Sequence, residues 1–343
     1  MDILKNLETD FIAQQAVMDL ICKIDNFKDK WDKGGNEHNK YLKVSHRIIS
    51  SGRSDSSSRI KKSQRIDKEA SELIKIIKIT KFKNRCYDEV SGYNDALKVI
   101  FNRYGEIPIG ESQFKDLHRL LLKYSEKDQQ HRGEYKRHSN RVVAIYPDDR
   151  ERVIFQTTEP HLTEQEMRIL INWVQEQLEN DLLYPLLTTS IFIYEFLSIH
   201  PFQDGNGRMA RLLTNLLLLR TGYKFIQCIS FEDLIDERKN EYYEALMQGQ
   251  KDRGSNKENI TQWVSFFLES IEMLTLQFGE ILSDGKINGS GLYNRKTKFK
   301  NFAREKQLIE SVDIKTAFTT VSINTKNDES SGVRIGTKYA TKK

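Results

Sequence analysis

His200-Pro201-Phe202-Gln203-Asp204-Gly205-Asn206-Gly207-Arg208-Met209-Ala210-Arg211 separates two apolar segments, and its reading decides the fold. The segment before it, Leu182 to Ile199, is too long for an ordinary strand and is interrupted by Glu195. It reads as a buried helix, with Pro185 tolerated in its first turn and Pro201 forcing the preceding residue away from helical geometry. The segment after it, Met209 to Thr221, is rich in Leu and is followed by Gly222, placed as a helix stop. The run is therefore a loop between two core helices, and its second half opens the second helix. Such a loop suits an anion. Gly205-Asn206-Gly207 can turn backbone N–H groups inward, and the helix start adds its positive dipole end. Arg208 and Arg211 stand three apart and share one face of the first turn. His200 offers a base near neutral pH, and Asp204 a hard oxygen ligand for Mg2+. The residues by themselves imply a nucleotide or phosphate site with a general base.

The 343-residue chain is 38% hydrophobic and 30% charged, which is the balance of a soluble globular protein. Its net charge of +5 (54 Lys and Arg against 49 Asp and Glu) hints at anionic ligands without demanding nucleic acid. The three cysteines, Cys22, Cys86 and Cys228, are odd in number and far apart, which points to a reducing compartment and no metal cluster. The start, Met1-Asp2-Ile3-Leu4-Lys5, lacks the charged-then-apolar pattern of a signal peptide. The polar residues Thr188, Thr189, Ser190 and Glu195 make the long apolar segment a core helix rather than a membrane span. The expectation is a cytoplasmic protein with no membrane partner.

Around the central run the pattern is mainly helical. Residues 1–50 read as helical with a turn at Gly34-Gly35, then comes a Ser-rich break from Ser50 to Ser58. Helical spacing recurs over residues 89–104, Phe114 to Tyr124, Leu162 to Leu178 (with Trp173), Leu234 to Met247 and Ile260 to Phe278 (with Trp263). Val142 to Tyr146 and Val153 to Phe155, separated by Pro147-Asp148-Asp149-Arg150, read as a β-hairpin. Beyond Asp284 the composition shifts: Gly289-Ser290-Gly291 marks a linker, basic residues crowd Arg295 to Lys306, and Thr325 to Lys343 is polar. That tail reads as solvated or partly disordered.

Position for position, residues 200–211 match His-x-Phe-x-(Asp/Glu)-Gly-Asn-Gly-Arg-x-x-Arg, and the chain resembles the Fic (Fido) family of AMP-transferring enzymes. The resemblance runs over residues 50–270 and includes His131-Arg132-Gly133-Glu134-Tyr135, whose His131 and Arg132 read as a fold-stabilising polar cluster. It implies an all-helical Fic core at residues 89–275 with a β-hairpin flap at 141–160; residues 1–88 are then a helical N-terminal region that holds the stretch 57–62, and composition makes 285–343 a basic C-terminal tail. Relatives often carry a winged-helix-like domain where this tail lies, though the tail lacks a clear recognition helix.

The resemblance also assigns roles. His200 is the base toward a Ser, Thr or Tyr hydroxyl of a target protein, and ATP donates AMP with Mg2+ (or Mn2+) at Asp204. Gly205, Asn206 and Gly207 cradle the phosphates, Arg208 holds the β-phosphate region and Arg211 the γ-phosphate. Phe202 anchors the loop. Tyr242, Tyr243 and Gln250 fall near the adenine, although an aromatic pair on a helix is more often core. Gln156, Thr157 and Thr158 lie on the flap, whose backbone clamps the target peptide. Relatives carry Ser-Ser-x-Ile-Glu-Gly at an inhibitory helix, and this chain has Ser57-Ser58-Arg59-Ile60-Lys61-Lys62, so Lys61 replaces the restraining glutamate. A homodimer stays open. Other readings are a Fic enzyme that transfers another phosphate-linked group, and a non-catalytic regulator that binds nucleic acid through the basic tail.

Overall fold

The computed structural model describes residues 11–35, 41–42, 87–145, 151–228, 231, 234–235, 238–255, 257–284 and 334–339. Among them are eight α-helices: α1 (Phe11–Lys33), α2 (Tyr87–Arg103), α3 (Glu111–Leu121), α4 (Pro160–Asn180), α5 (Pro185–Ile199), α6 (Asn206–Arg220), α7 (Lys239–Gln250) and α8 (Thr261–Asp284). Strands β1 (Asn140–Ile145) and β2 (Glu151–Gln156) fall between α3 and α4, and β3 (Arg334–Tyr339) comes last. The mainly helical class with a small antiparallel sheet is the one expected. Pro185 sits in the first turn of α5, and Gly222, at φ 91°, follows the end of α6 in left-handed geometry. None of the described helices is long and apolar enough to cross a membrane.

The α5 helix is the axis of the molecule. Every residue from Thr188 to Ile199 is buried, so it has no solvent face. A helix apolar all round needs neighbours on every side, and α4, α6 and α8 supply them. Its polar residues bond locally: Thr189 Oγ1 donates to Pro185 O (2.8 Å), Ser190 Oγ to Leu187 O (2.9 Å) and Ser198 Oγ to Tyr194 O (2.8 Å). Trp263 Nε1 on α8 donates to Ser190 O (2.8 Å). The α2 helix reaches α3 closely through Gly92, where a Cβ would stand 2.0 Å from the carbonyl oxygen of Leu121.

The N-terminal helix shares this core. Ile21 and Ile24 of α1 are buried, and Phe27, Trp31 and nearby Tyr41 pack their rings on Phe278 of α8. Tyr223 Oη, after α6, donates to Asp25 of α1 (2.7 Å).

The hairpin is present as read, with its tip at 146–150 outside the described residues. Val142 faces Phe155 and Val143 faces Val153, which leaves Ile154 as an extra residue on β2. Such a bulge twists a strand and re-aims its neighbours; here Phe155, next in the chain, is buried with its ring 6.4 Å from that of His200. Within the tail read as solvated or partly disordered, the described residues form a strand that the sequence reading did not foresee. Arg334–Tyr339 adds a third strand to the sheet, in the order β2-β1-β3, pairing antiparallel with β1 from Asn140↔Tyr339 to Ile145↔Arg334. The polar composition around this strand hid it, because backbone hydrogen bonds to an edge need no particular side chain.

Glu195, the interruption noted in α5, is fully buried, and Arg253 Nη1 lies 2.8 Å from its Oε2. The same guanidinium stands 3.7 Å from Glu258, which accepts from Tyr194 Oη (3.0 Å) and the Gly254 N–H (2.8 Å). Burial pushes the Glu195 carboxyl up to about 7, against the pull of Arg253. Removing one partner of such a pair strands a buried charge. Arg253→Met is therefore expected to destabilise the fold by about 3 kcal/mol or more. Adding Glu195→Leu should recover most of that loss, as read by thermal and urea melts.

Candidate functional site

The run 200–211 is the joint between α5 and α6. His200 caps α5 with φ 54° and ψ 59°, a left-handed conformation that is uncommon for a residue with a Cβ. Its N–H still closes the helix on Phe196 O (2.9 Å). Gly205 caps α6 at φ 80°, where glycine carries no such strain. Between them Asn206, 1% exposed, binds both backbone groups of Phe202: its Oδ1 accepts from Phe202 N–H (2.9 Å) and its Nδ2 donates to Phe202 O (2.7 Å). The Asn206 side chain thus shapes the loop, and its main-chain N–H, in the first turn of α6, is the group that can meet an anion.

His200 is buried, and its ring nitrogen Nδ1 lies 3.1 Å from Leu197 O. A carbonyl can only accept, so Nδ1 carries the proton and Nε2 is the basic nitrogen. Burial lowers the imidazole pKa to about 4; the bond to Leu197 and the charge of Asp204 act the other way, while Lys136 lowers it further. At neutral pH this is an unprotonated base in one fixed tautomer.

Phe202 is fully buried, as an anchor should be. It stacks on His118 of α3, ring centroids 3.8 Å apart and 10° from parallel. His118 accepts from the Gly133 N–H at Nδ1 (2.8 Å), which leaves its Nε2–H to donate to the Asp204 carbonyl (3.0 Å). Burial lowers the His118 pKa to about 4, so it too is neutral. His118 was read only as part of an amphipathic helix. Its signal was its place on the apolar face with Phe114, Leu117 and Leu121, all buried beside it.

The Asp204 carboxylate accepts from the Gly205 N–H (2.6 Å) and lies 3.3 Å from Lys127 Nζ and 3.8 Å from Arg208 Nη2. Burial raises its pKa, but Arg208 and Lys127 outweigh burial and hold it below the usual carboxylate range. No sequence signal marked Lys127. Among the described residues no three His, Cys, Asp or Glu side chains gather as a metal cage. A cation at Asp204 would have to complete its shell with water and ligand oxygens. Mg2+ accepts that arrangement, keeping waters and binding through one or two carboxylates plus phosphates. Arg208 is buried, and Arg211 is half-buried one turn along α6, close to Gly207.

The remaining candidates divide. Gln250 Nε2 donates to Ser198 Oγ, two residues before His200, so the end of α7 reaches the site. Tyr243 is half-buried, while Tyr242 is turned into the core against Trp263 and Phe266, ring centroids 5.6 and 5.9 Å away. Helical spacing explains this, since Tyr242 shares its face with buried Ala245 and Leu246. On the hairpin Gln156 is exposed and Thr158 donates to Glu166 (2.6 Å). Thr157 points inward, donating to Asn140 and accepting from Lys136. His131 and Arg132 stay structural, His131 at 3.0 Å from Asp128 and Arg132 donating to Lys123 O (3.2 Å). Ser57 and Lys61 lie outside the described residues.

Both depressed histidines have a pH consequence. A folded-state pKa near 4 against an ordinary 6.5 means that the stability they contribute is complete above 6.5 and is lost as pH falls toward 4. NMR titration of the seven histidines should find two, His118 and His200, unprotonated throughout pH 5.5–7.5. Either one titrating near 6.5 would contradict the buried geometry.

Residues 108–218 match the sequence pattern of the Fic/DOC family. A protein adenylyltransferase Fic of Nematostella vectensis is 36% identical over 89 residues, 26% of this chain and 19% of the relative. The protein adenylyltransferase fic-1 of Caenorhabditis elegans is 30% identical over 92 residues, 27% of this chain and 17% of the relative. The matched stretch thus spans about a fifth of these relatives' length. Among solved structures, a Fic-domain-containing signaling protein from Bacteroides thetaiotaomicron superposes with a TM-score of 0.52 at 22% identity, covering 78% of this chain and all of the other. At that identity the likeness is one of fold. Over residues 108–218 the helical core around His200 thus carries the sequence pattern of the Fic/DOC family, in a fold like that of the Fic-domain structure.

Proposed function

We propose that this chain is a protein adenylyltransferase, moving AMP from ATP to a Ser, Thr or Tyr hydroxyl of a target protein. The observation that carries this reading is the neutral, tautomer-fixed His200 in the same loop as Asp204 and an arginine-bearing helix start. His200 Nε2 takes the proton of the target hydroxyl as its oxygen bonds to the α-phosphorus. The bond from that phosphorus to the bridging oxygen of the β-phosphate breaks, and pyrophosphate leaves with the electron pair. The main-chain N–H groups of Asn206 and Gly207 would meet the phosphates, that of Gly205 being taken by the Asp204 carboxylate, and Arg208 and Arg211 would offset the charge of the leaving group. Mg2+, held by Asp204 and the phosphates, supplies further neutralisation when bound. Lys127, 3.3 Å from Asp204, adds a further positive charge beside that carboxylate. The relatives named as adenylyltransferases support the reaction class.

His200→Ala should keep the melting temperature and MgATP affinity of the parent but lower AMP transfer by about 100-fold or more, the usual loss for a general base. Purified protein, labelled ATP and cell extract give the measurement. Labelling at near the parent rate would remove His200 from the chemistry.

The reading of Lys61 is a separate proposal. With lysine where relatives restrain themselves by glutamate, the enzyme is active without release. Lys61→Glu combined with Lys62→Gly should slow labelling, and an unchanged rate would dismiss lost restraint.

A further inference from the structure

The side chain of Lys136 ties both strands of the hairpin to the loop that carries His200. This lysine is 3% exposed. Its Nζ donates to Asn140 Oδ1 (3.0 Å), the first residue of β1, and to Thr157 Oγ1 (2.9 Å), the first residue after β2. Its third bond goes to the main-chain oxygen of Ile199 (2.9 Å), directly before the base. The Lys136 main-chain N–H donates to Pro201 O (2.8 Å), directly after it, and Tyr135 forms a bridge with Phe202.

Every polar group in this cluster has a fixed direction. Thr157 Oγ1 gives its proton to Asn140, at 2.7 Å from the main-chain oxygen and 2.5 Å from Oδ1, so it accepts from Lys136. Asn140 Nδ2 donates to Phe202 O (3.0 Å), which turns Asn140 Oδ1 toward Lys136. Three acceptors therefore surround Nζ, and three N–H bonds require the ammonium form. Burial pushes this amine down to about 7, with Glu159 and Glu166 acting the other way, and the acceptor triad opposes that loss of the proton. A buried charge is an expensive way to fill space, so the arrangement is better explained by what it joins than by packing.

We propose that Lys136 is a positioning residue that holds both strands of the flap in register with the His200 loop, so that an acceptor docked on the hairpin meets Nε2. The kinetic part of this proposal rests on the adenylyl-transfer reading, whereas the mechanical part does not. Lys136 acts through Asn140 and Thr157 on one side and Ile199 on the other.

The test uses Lys136→Met and Thr157→Val in the full chain. Hydrogen exchange is followed by mass spectrometry over residues 140–157 and over α5 and α6, MgATP affinity by calorimetry, and transfer with labelled ATP and cell extract. For Lys136→Met, exchange of the β1 and β2 amides should rise at least about 10-fold with α5 and α6 unchanged. MgATP affinity should stay within about 3-fold, and transfer at saturating ATP should fall by about 10-fold or more. Thr157→Val keeps the lysine and removes one of its acceptors, so it should shift the same amides by a smaller factor and covers the case in which Lys136→Met does not fold. Unchanged strand exchange in the folded variants overturns the proposal. So does a loss of MgATP affinity equal to the loss of transfer, which would place the role in the nucleotide loop. A parent without transfer activity sinks the adenylyl-transfer reading and leaves the exchange result to decide the mechanical part.

Discussion

A helix that ends on a left-handed histidine is the constraint from which the site follows. Because α5 is buried on all sides, its direction is set by packing, and its C-terminal residue cannot drift. His200 at φ 54° then turns the chain sharply, Pro201 prevents any return to helix, and Gly205 makes the second turn into α6. Two buried side chains hold the loop between these turns. Asn206 satisfies both backbone groups of Phe202, and the Phe202 ring lies flat on His118. The strain at His200 persists because so many contacts over-determine it.

The electrostatics obey the same economy. Two histidines are buried neutral, each with its tautomer fixed by one bond to the backbone, and they do different work. His200 keeps Nε2 basic, while His118 spends Nε2–H on the carbonyl of Asp204. Charge is concentrated instead along the loop, where Lys127 and Arg208 lie near one carboxylate and Arg211 stands close to Gly207. That excess of positive charge is complementary to a polyphosphate, and a lone carboxylate suits a cation that arrives with its phosphate ligands. Lys136 extends the ordered region to the hairpin, which also meets the loop through Asn140, bonded to Phe202 O, and through Phe155, packed near His200.

The sequence was enough for the helical class, the hairpin and the place of residues 200–211 as the joint between two buried helices. Apolar periodicity, Pro185, Pro201 and Gly222 are local signals, and local geometry obeys them. The motif could be read because its parts are contiguous: base, carboxylate, glycine turn and arginines lie within a dozen residues, so no tertiary knowledge was needed to place them together.

Tertiary structure decided what depends on partners far apart in the chain. No pattern within α3 says that His118 meets Asp204, 86 residues later, or that Lys136 reaches Ile199, 63 residues later. A lysine in a polar stretch reads as surface until its acceptors are known. Tyr242 and Tyr243 look equivalent in sequence, and only the position of α8 sends one into the core. The strand Arg334–Tyr339 was hidden for the same reason, since its stability lies in main-chain bonds to β1 rather than in its own side chains. Sequence fixes the periodicity and the chemistry of each residue, while burial and the identity of the facing group, which set tautomer, charge and role, exist only once the chain has closed on itself.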